Sequence, residues 1–237
     1  MNVFIVGAGP GDPELITVKG QKLLSEADVI IYAGSLVNPA LLDYAKAGCE
    51  IHNSASMTLP QVINVIEDGV KQGKMVVRLH TGDPSIYGAI QEQMDALDKL
   101  GIEYKVVPGV SSFLATAAAL KQEYTLPGIS QTVIITRNEG RTPVPDREKL
   151  RSLAAHQATM CIFLSITISR MIFLRETCKR FVHLYIHRSV FLVKRIRVSI
   201  VGIQGKVEFR TLSFLAFHRE FCLMQFGERF HQCQSSS

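Results

Sequence analysis

Apolar and polar residues alternate along the first two thirds of the chain in two distinct rhythms. Short runs dense in Val and Ile occupy residues 2–6, 29–33, 75–80, 104–107, 132–136 and 159–164. Continuous apolar runs of this length are what strands buried on both faces require. Between them lie stretches with helical spacing at 13–26, 59–72, 84–100, 111–121 and 146–155. In 59–72 the apolar positions Val62, Ile63, Val65, Ile66 and Val70 fall on one helical face. Asp12-Pro13 supplies an N-cap and a proline at the first helical position, a sound helix start. β and α in alternation predict an α/β fold, its sheet mostly parallel and flanked by helices. Residues 120–126 form a plausible junction, dividing the chain into 1–122 and 123–237.

Ligands of such sheets sit outside the carboxyl ends of the strands. Three glycine-bearing loops fall at those ends: residues 7–13, 81–88 and 108–112. The first, GAGPGDP, starts like a dinucleotide fingerprint, but its third glycine comes one residue early. The strand at 29–33 also ends without the acidic residue that would hold a ribose. No Gly-Lys-Ser/Thr follows, so a P-loop fails as well. Each loop taken alone is open to two readings, a strand-to-helix turn or a ligand cradle. Asp83 in HTGDPSIYG fits an N-cap, as do Ser111 or Ser112 in PGVSS.

Composition narrows the class. The chain has 237 residues, 47% hydrophobic and 20% charged, which suits a folded domain or two. No basic, apolar leader opens it, which argues against secretion and for a cytoplasmic protein. Residues 158–174 form the longest apolar stretch, too short for a membrane span and better read as a buried strand. The cysteines at 49, 161, 178, 222 and 233 show no paired spacing and read as reduced thiols, with no metal site.

The loops taken together are more informative than any of them singly. GAGPGDP, YAGSL, RLHTGDPSIYG, VPGVSS and TRNEGRTPVP resemble the tetrapyrrole methyltransferases that bind S-adenosylmethionine between two α/β domains. Within that class the set is most similar to the branch that methylates cobalt-precorrin-4 at C11 in anaerobic cobalamin synthesis. The likeness runs from residue 1 to about 167. It implies a cleft between the two domains and a homodimer. It also implies that Pro10, Thr81, Gly82, Asp83, Ile86, Ser111, Ser112 and Leu164 border the cofactor. Gly9, Gly11 and Asp12 would belong to the floor of a tetrapyrrole trough. Arg78, His80, Arg137 and Arg141 stand in or beside loops where they could meet the substrate's carboxylates, a task suited to arginine. No catalytic base is indicated. The nearest alternative is a uroporphyrinogen-III or other precorrin methyltransferase. Neither a nucleic-acid nor a membrane partner is expected.

The pattern changes near residue 168. Residues 1–167 hold 14 Lys+Arg against 17 Asp+Glu, whereas 168–237 hold 12 against 4. The tail has no Asp, Asn, Pro or Trp, but nine of the twelve Phe. The family continues instead with a Trp-Pro-acid segment and a closing strand, so the C-terminal domain reads as incomplete. The break is that expected of out-of-frame translation, and sequencing the gene for an intact second frame tests it. The competing readings are an inactive remnant, or a basic Phe/Arg element that binds anionic partners.

Overall fold

The computed structural model describes residues 2–140 and 142–164, and the backbone of five further strands between 184 and 225. The chain divides into two units, Met1–Ala115 and Thr116–Ser237. The first holds five strands: β1 (Val3–Gly7), β2 (Val29–Tyr32), β3 (Glu50–Asn53), β4 (Val76–His80) and β5 (Tyr104–Val107). They lie in the order β3-β2-β4-β1-β5, and every pairing is parallel. Helices α1 (Val18–Glu26), α2 (Leu59–Lys71) and α3 (Gln91–Lys99) lie between strands, and α4 (Ser112–Ala119) follows β5.

Strand alternation divides the core between two faces. Val6, Ile30, Val77 and Leu79 join Leu23 and Leu24 of α1. Val3, Val29, Ile31 and Val76 join Val62, Ile63 and Ile66 of α2 and Leu97 of α3. Burial on both faces explains why β1 and β2 read as unbroken apolar runs. Each fully buried aliphatic side chain contributes about 1.5–3 kcal/mol, set against the entropy of ordering the chain.

The expected strands appear within a residue or so of their predicted limits, but three helices are shorter than their patterns suggest, the 146–155 stretch being α-helical only over Leu150–Ala154 after a 3-10 turn, Asp146–Glu148. The 13–26 stretch splits into a 3-10 turn, Pro13–Leu15, and α1. Thr17 stands between them with extended backbone, and its hydroxyl accepts from Gly20 N at 3.1 Å, starting a fresh helix. The 84–100 stretch is helical only from Gln91. Ahead of it, Tyr87 and Ala89 hold positive φ of 55° and 50°, which no continuing helix allows. β3 was not predicted from the pattern because Glu-Ile-His-Asn has no apolar run. It forms an edge strand carrying the Glu50–His52 and Glu50–Lys74 ion pairs, at 2.9 and 3.4 Å.

In the second unit β6 (Val133–Arg137) and β7 (Thr159–Phe163) pair in parallel, with α5 (Leu150–Ala154) between them. The backbone strands β8 (Leu184–His187), β9 (Val190–Lys194), β10 (Arg197–Gly202), β11 (Ser213–Phe217) and β12 (Phe221–Gln225) pair antiparallel. Most of what bears on the out-of-frame reading of 168–237 lies outside the described residues. Among the described residues no helix is long and apolar enough to cross a membrane. Cys161 is buried in β7, and burial pushes its thiol up to about 12, so it is a packing group and not a nucleophile.

Candidate functional site

β1 lies between β4 and β5, so the loops that leave these three strands emerge side by side. Backbone hydrogen bonds lock the first two together. Ala8 N donates to His80 O at 2.7 Å, Gly9 N to Gly82 O at 3.2 Å, and Gly82 N to Gly9 O at 2.8 Å. The third loop is tied to the second by Asp83, whose Oδ2 accepts from Gly109 N at 3.0 Å. Contact among the three is close enough to exclude side chains. A Cβ on Gly109 would stand 2.2 Å from Gly82 O and 2.8 Å from Gly7 Cα. A Cβ on Gly7 would stand 2.6 Å from both Gly109 Cα and Gly82 O. Glycine at 7 and 109 is therefore a packing requirement, and the loops form one interlocked edge.

The residues singled out in the sequence take distinct places along that edge. Gly9 and Pro10 are buried, and Gly11 is half-buried. Asp12 is exposed and caps the 3-10 turn, its Oδ1 accepting from Glu14 N at 3.0 Å. Gly82 has φ +61°, and a side chain there would meet only Ser111 Cα and Ser112 N, each at 3.8 Å. A Cβ at 82 would thus sit in ordinary contact with the third loop, without a clash. Thr81 Oγ1 is buried with no hydrogen-bond partner. Asp83 is both cap and clamp, since its Oδ1 also accepts from Ser85 N at 2.8 Å. Ile86 is half-buried, and its N donates to Asp83 O at 3.2 Å. Ser111 and Ser112 are 4% exposed, and Ser111 O accepts from Leu114 N and Ala115 N to open α4.

The basic residues are placed differently from the expectation of loops facing carboxylates. Arg78 is 7% exposed, on the α3 face of β4. Its Nε donates to Gln93 Oε1 at 3.0 Å and a terminal nitrogen to Ile31 O at 3.2 Å. Burial brings its pKa down to about 10. Two residues on, the strand period returns His80 to the same face, 4% exposed. Burial and the neighbouring Arg78 charge lower its pKa to about 3, against a smaller opposing effect of Gln93, so the ring is neutral. Neither side chain is presented to solvent, because both belong to a buried strand and not to the loop that follows. In the second unit, Arg137 closes its own loop, its guanidinium donating to Thr142 O at 3.2 Å and Pro143 O at 3.3 Å. Leu164 follows β7, 59% exposed with φ 53°. Arg141 lies outside the described residues.

Two contributors were missed. Asn38 Nδ2 donates to Gly11 O at 2.7 Å while its Oδ1 accepts from Ala40 N at 3.1 Å, pinning the first loop to the chain after β2. Asn38-Pro39 carried a legible cap signal, but nothing in it specified the long-range bond. Gln93 looks like a surface helix residue, and only its spacing of four from Leu97 hints at burial.

The profile of the tetrapyrrole (corrin/porphyrin) methylases matches residues 2–196. A cobalt-precorrin-4 C(11)-methyltransferase of Methanocaldococcus jannaschii is 66% identical over 166 residues, 70% of this chain and 64% of that protein. One from Priestia megaterium is 52% identical over 172 residues, covering 73% and 67%. The chain thus spans just under two thirds of the length of the first of these relatives. A solved cobalt precorrin-4 methyltransferase of cobalamin biosynthesis is 42% identical with a TM-score of 0.75, covering 81% of this chain and 94% of its own.

Proposed function

The chain belongs to the tetrapyrrole (corrin/porphyrin) methylases, and from that premise we propose that it methylates cobalt-precorrin-4 at C11, with S-adenosyl-L-methionine as donor. The observation that carries this reading is the interlocking of the three strand-end loops into one edge, with an unpartnered Thr81 hydroxyl buried beside Gly82. A buried hydroxyl without a partner is costly unless a ligand or water completes it. The donor set suits the cofactor, whose amino-acid end takes hydrogen bonds and whose adenosine takes apolar walls.

When bound, the cofactor supplies a methyl group already activated on a sulfonium. The protein's part is then alignment, which supplies roughly 7–11 kcal/mol in well-oriented reactions. Thr81, Gly82 and Asp83 would hold the methionine portion, with Ile86 against its other side and Pro10 at the border of the first loop. Asp83 keeps lone pairs beyond its two structural bonds, so it can accept from an ammonium without releasing Gly109. Ser111 and Ser112 would complete the site from the third loop. Gly9, Gly11 and Asp12 would line the substrate side.

The test is incubation of the purified chain with cobalt-precorrin-4 and methyl-labelled cofactor. Label at C11 of the macrocycle is the expected product. Label at another carbon would move the chain to a sister specificity, and no transfer would reject the catalytic reading.

A further inference from the structure

Arg78 is a buried cation with no acidic partner among the described ion pairs. Folding alone gives no reason to keep it, since an apolar residue would fill the same place on β4 without the desolvation penalty. What it does hold is Gln93. Nε of Arg78 donates to Gln93 Oε1 at 3.0 Å, and Gln93 Nε2 in turn donates to Ala89 O at 3.0 Å. The other end of the guanidinium grips Ile31 O in β2 at 3.2 Å. Gln93 is itself 6% exposed, so the relay starts in the interior of the first unit and ends at the exposed residue Ala89.

The relay ends on an unusual stretch of backbone. Tyr87 and Ala89 are non-glycine residues at φ 55° and 50°. Gly88 between them packs so tightly that a Cβ would meet Pro84 O at 2.2 Å. Such a conformation persists only where its surroundings over-determine it. The stretch follows directly on Asp83 and Ile86. Its anchor is the side-chain amide of Gln93, oriented by Arg78 so that the oxygen faces the guanidinium and the NH2 faces Ala89 O.

We propose that Arg78 and Gln93 are positioning residues: they hold residues 84–89 folded against β4 and so set the Thr81–Asp83–Ile86 side of the cofactor cradle without touching the cofactor. This rests on the cofactor reading above. The orientation of the amide is the essential feature. A carboxylate at 93 still accepts from Arg78, more strongly than before, but cannot donate to Ala89 O. Gln93→Glu therefore separates a tether from a packing role.

The experiment compares the unsubstituted chain with Gln93→Glu by S-adenosylhomocysteine calorimetry, thermal melting and amide hydrogen exchange over residues 84–89. The expected result is a melting temperature within a few degrees of the original, faster exchange at 84–89 without ligand, and at least a tenfold weaker dissociation constant. Equal affinity and equal exchange in the two proteins overturn the inference. Absence of heat with the unsubstituted chain rejects the cofactor reading instead, and the ligand-free exchange then decides the tether by itself. Should Gln93→Glu fail to fold, Gln93→Met removes the tether without adding charge, and the same outcomes apply.

Discussion

Substituting Gly109 by alanine puts the interlocked edge under its most severe strain. The added methyl would start 2.2 Å from Gly82 O, 2.8 Å from Gly7 Cα and 3.0 Å from Gly7 C. Optimal separation for such atoms is about 3.5 Å, so backbone must move by about 1 Å. No flexible side chain can yield, because all three neighbours are main-chain atoms. Overpacking that leaves the hydrogen bonds intact costs about 1–3 kcal/mol. If the shift also breaks the Asp83–Gly109 bond, a charge-assisted one, about 1.5–3 kcal/mol is added. The sum is a loss of about 2.5–6 kcal/mol. For a unit of this size each kcal/mol lowers the melting temperature by about 4 °C, giving a drop of about 10–24 °C. Circular-dichroism melting measures it, with Gly140→Ala as control, since a Cβ there meets nothing within 4 Å. Gly109→Ala melting within a degree of the original would show that the loops are not in contact, and the site as described would fail.

Other substitutions probe separate links. Asp83→Ala removes the cap on Ser85 and the clamp on Gly109 together, and should cost about 2–4 kcal/mol by urea titration, more than the ~1 kcal/mol of a cap alone. Thr17→Ala should cost about 1 kcal/mol in the same assay, because it leaves Gly20 N without its side-chain acceptor. His80 makes stability depend on pH. Its folded pKa of about 3 lies below the unfolded value near 6.5, so the unfolded chain binds the extra proton between those limits. Stability is full above about pH 6.5 and falls toward pH 3 by up to about 1.4 kcal/mol per unit. His80→Gln should flatten that part of the urea-midpoint profile, and an unchanged slope would place the titration elsewhere.

Much of this architecture could be read from the order of residues. Burial on both faces makes β1 and β2 unbroken apolar runs, and that pattern is visible without coordinates. Glycine-rich turns after β1, β4 and β5 were equally visible, and a parallel sheet puts them on one edge, but the strict adjacency of the three was not legible. It follows from strand order, which places β1 between β4 and β5, and order is set by crossovers that leave no local mark. Arg78 and His80 show the opposite failure. Their type suggested exposed partners for carboxylates, yet the two-residue period of a buried strand turned both toward α3. Gln93 and Asn38 were silent for a related reason, since a side-chain amide acquires its role only from a carbonyl brought in by tertiary packing. Asp83 was legible as a cap, but its second oxygen's reach across to Gly109, 26 residues away, was not.

If three loops from neighbouring strands grip one cofactor, its binding must be felt by all three at once. Amide hydrogen exchange with and without saturating S-adenosylhomocysteine addresses it most directly. Simultaneous protection of residues 7–12, 81–86 and 109–112 on binding is the expected result. Protection confined to one loop, or appearing only elsewhere in the chain, would contradict it.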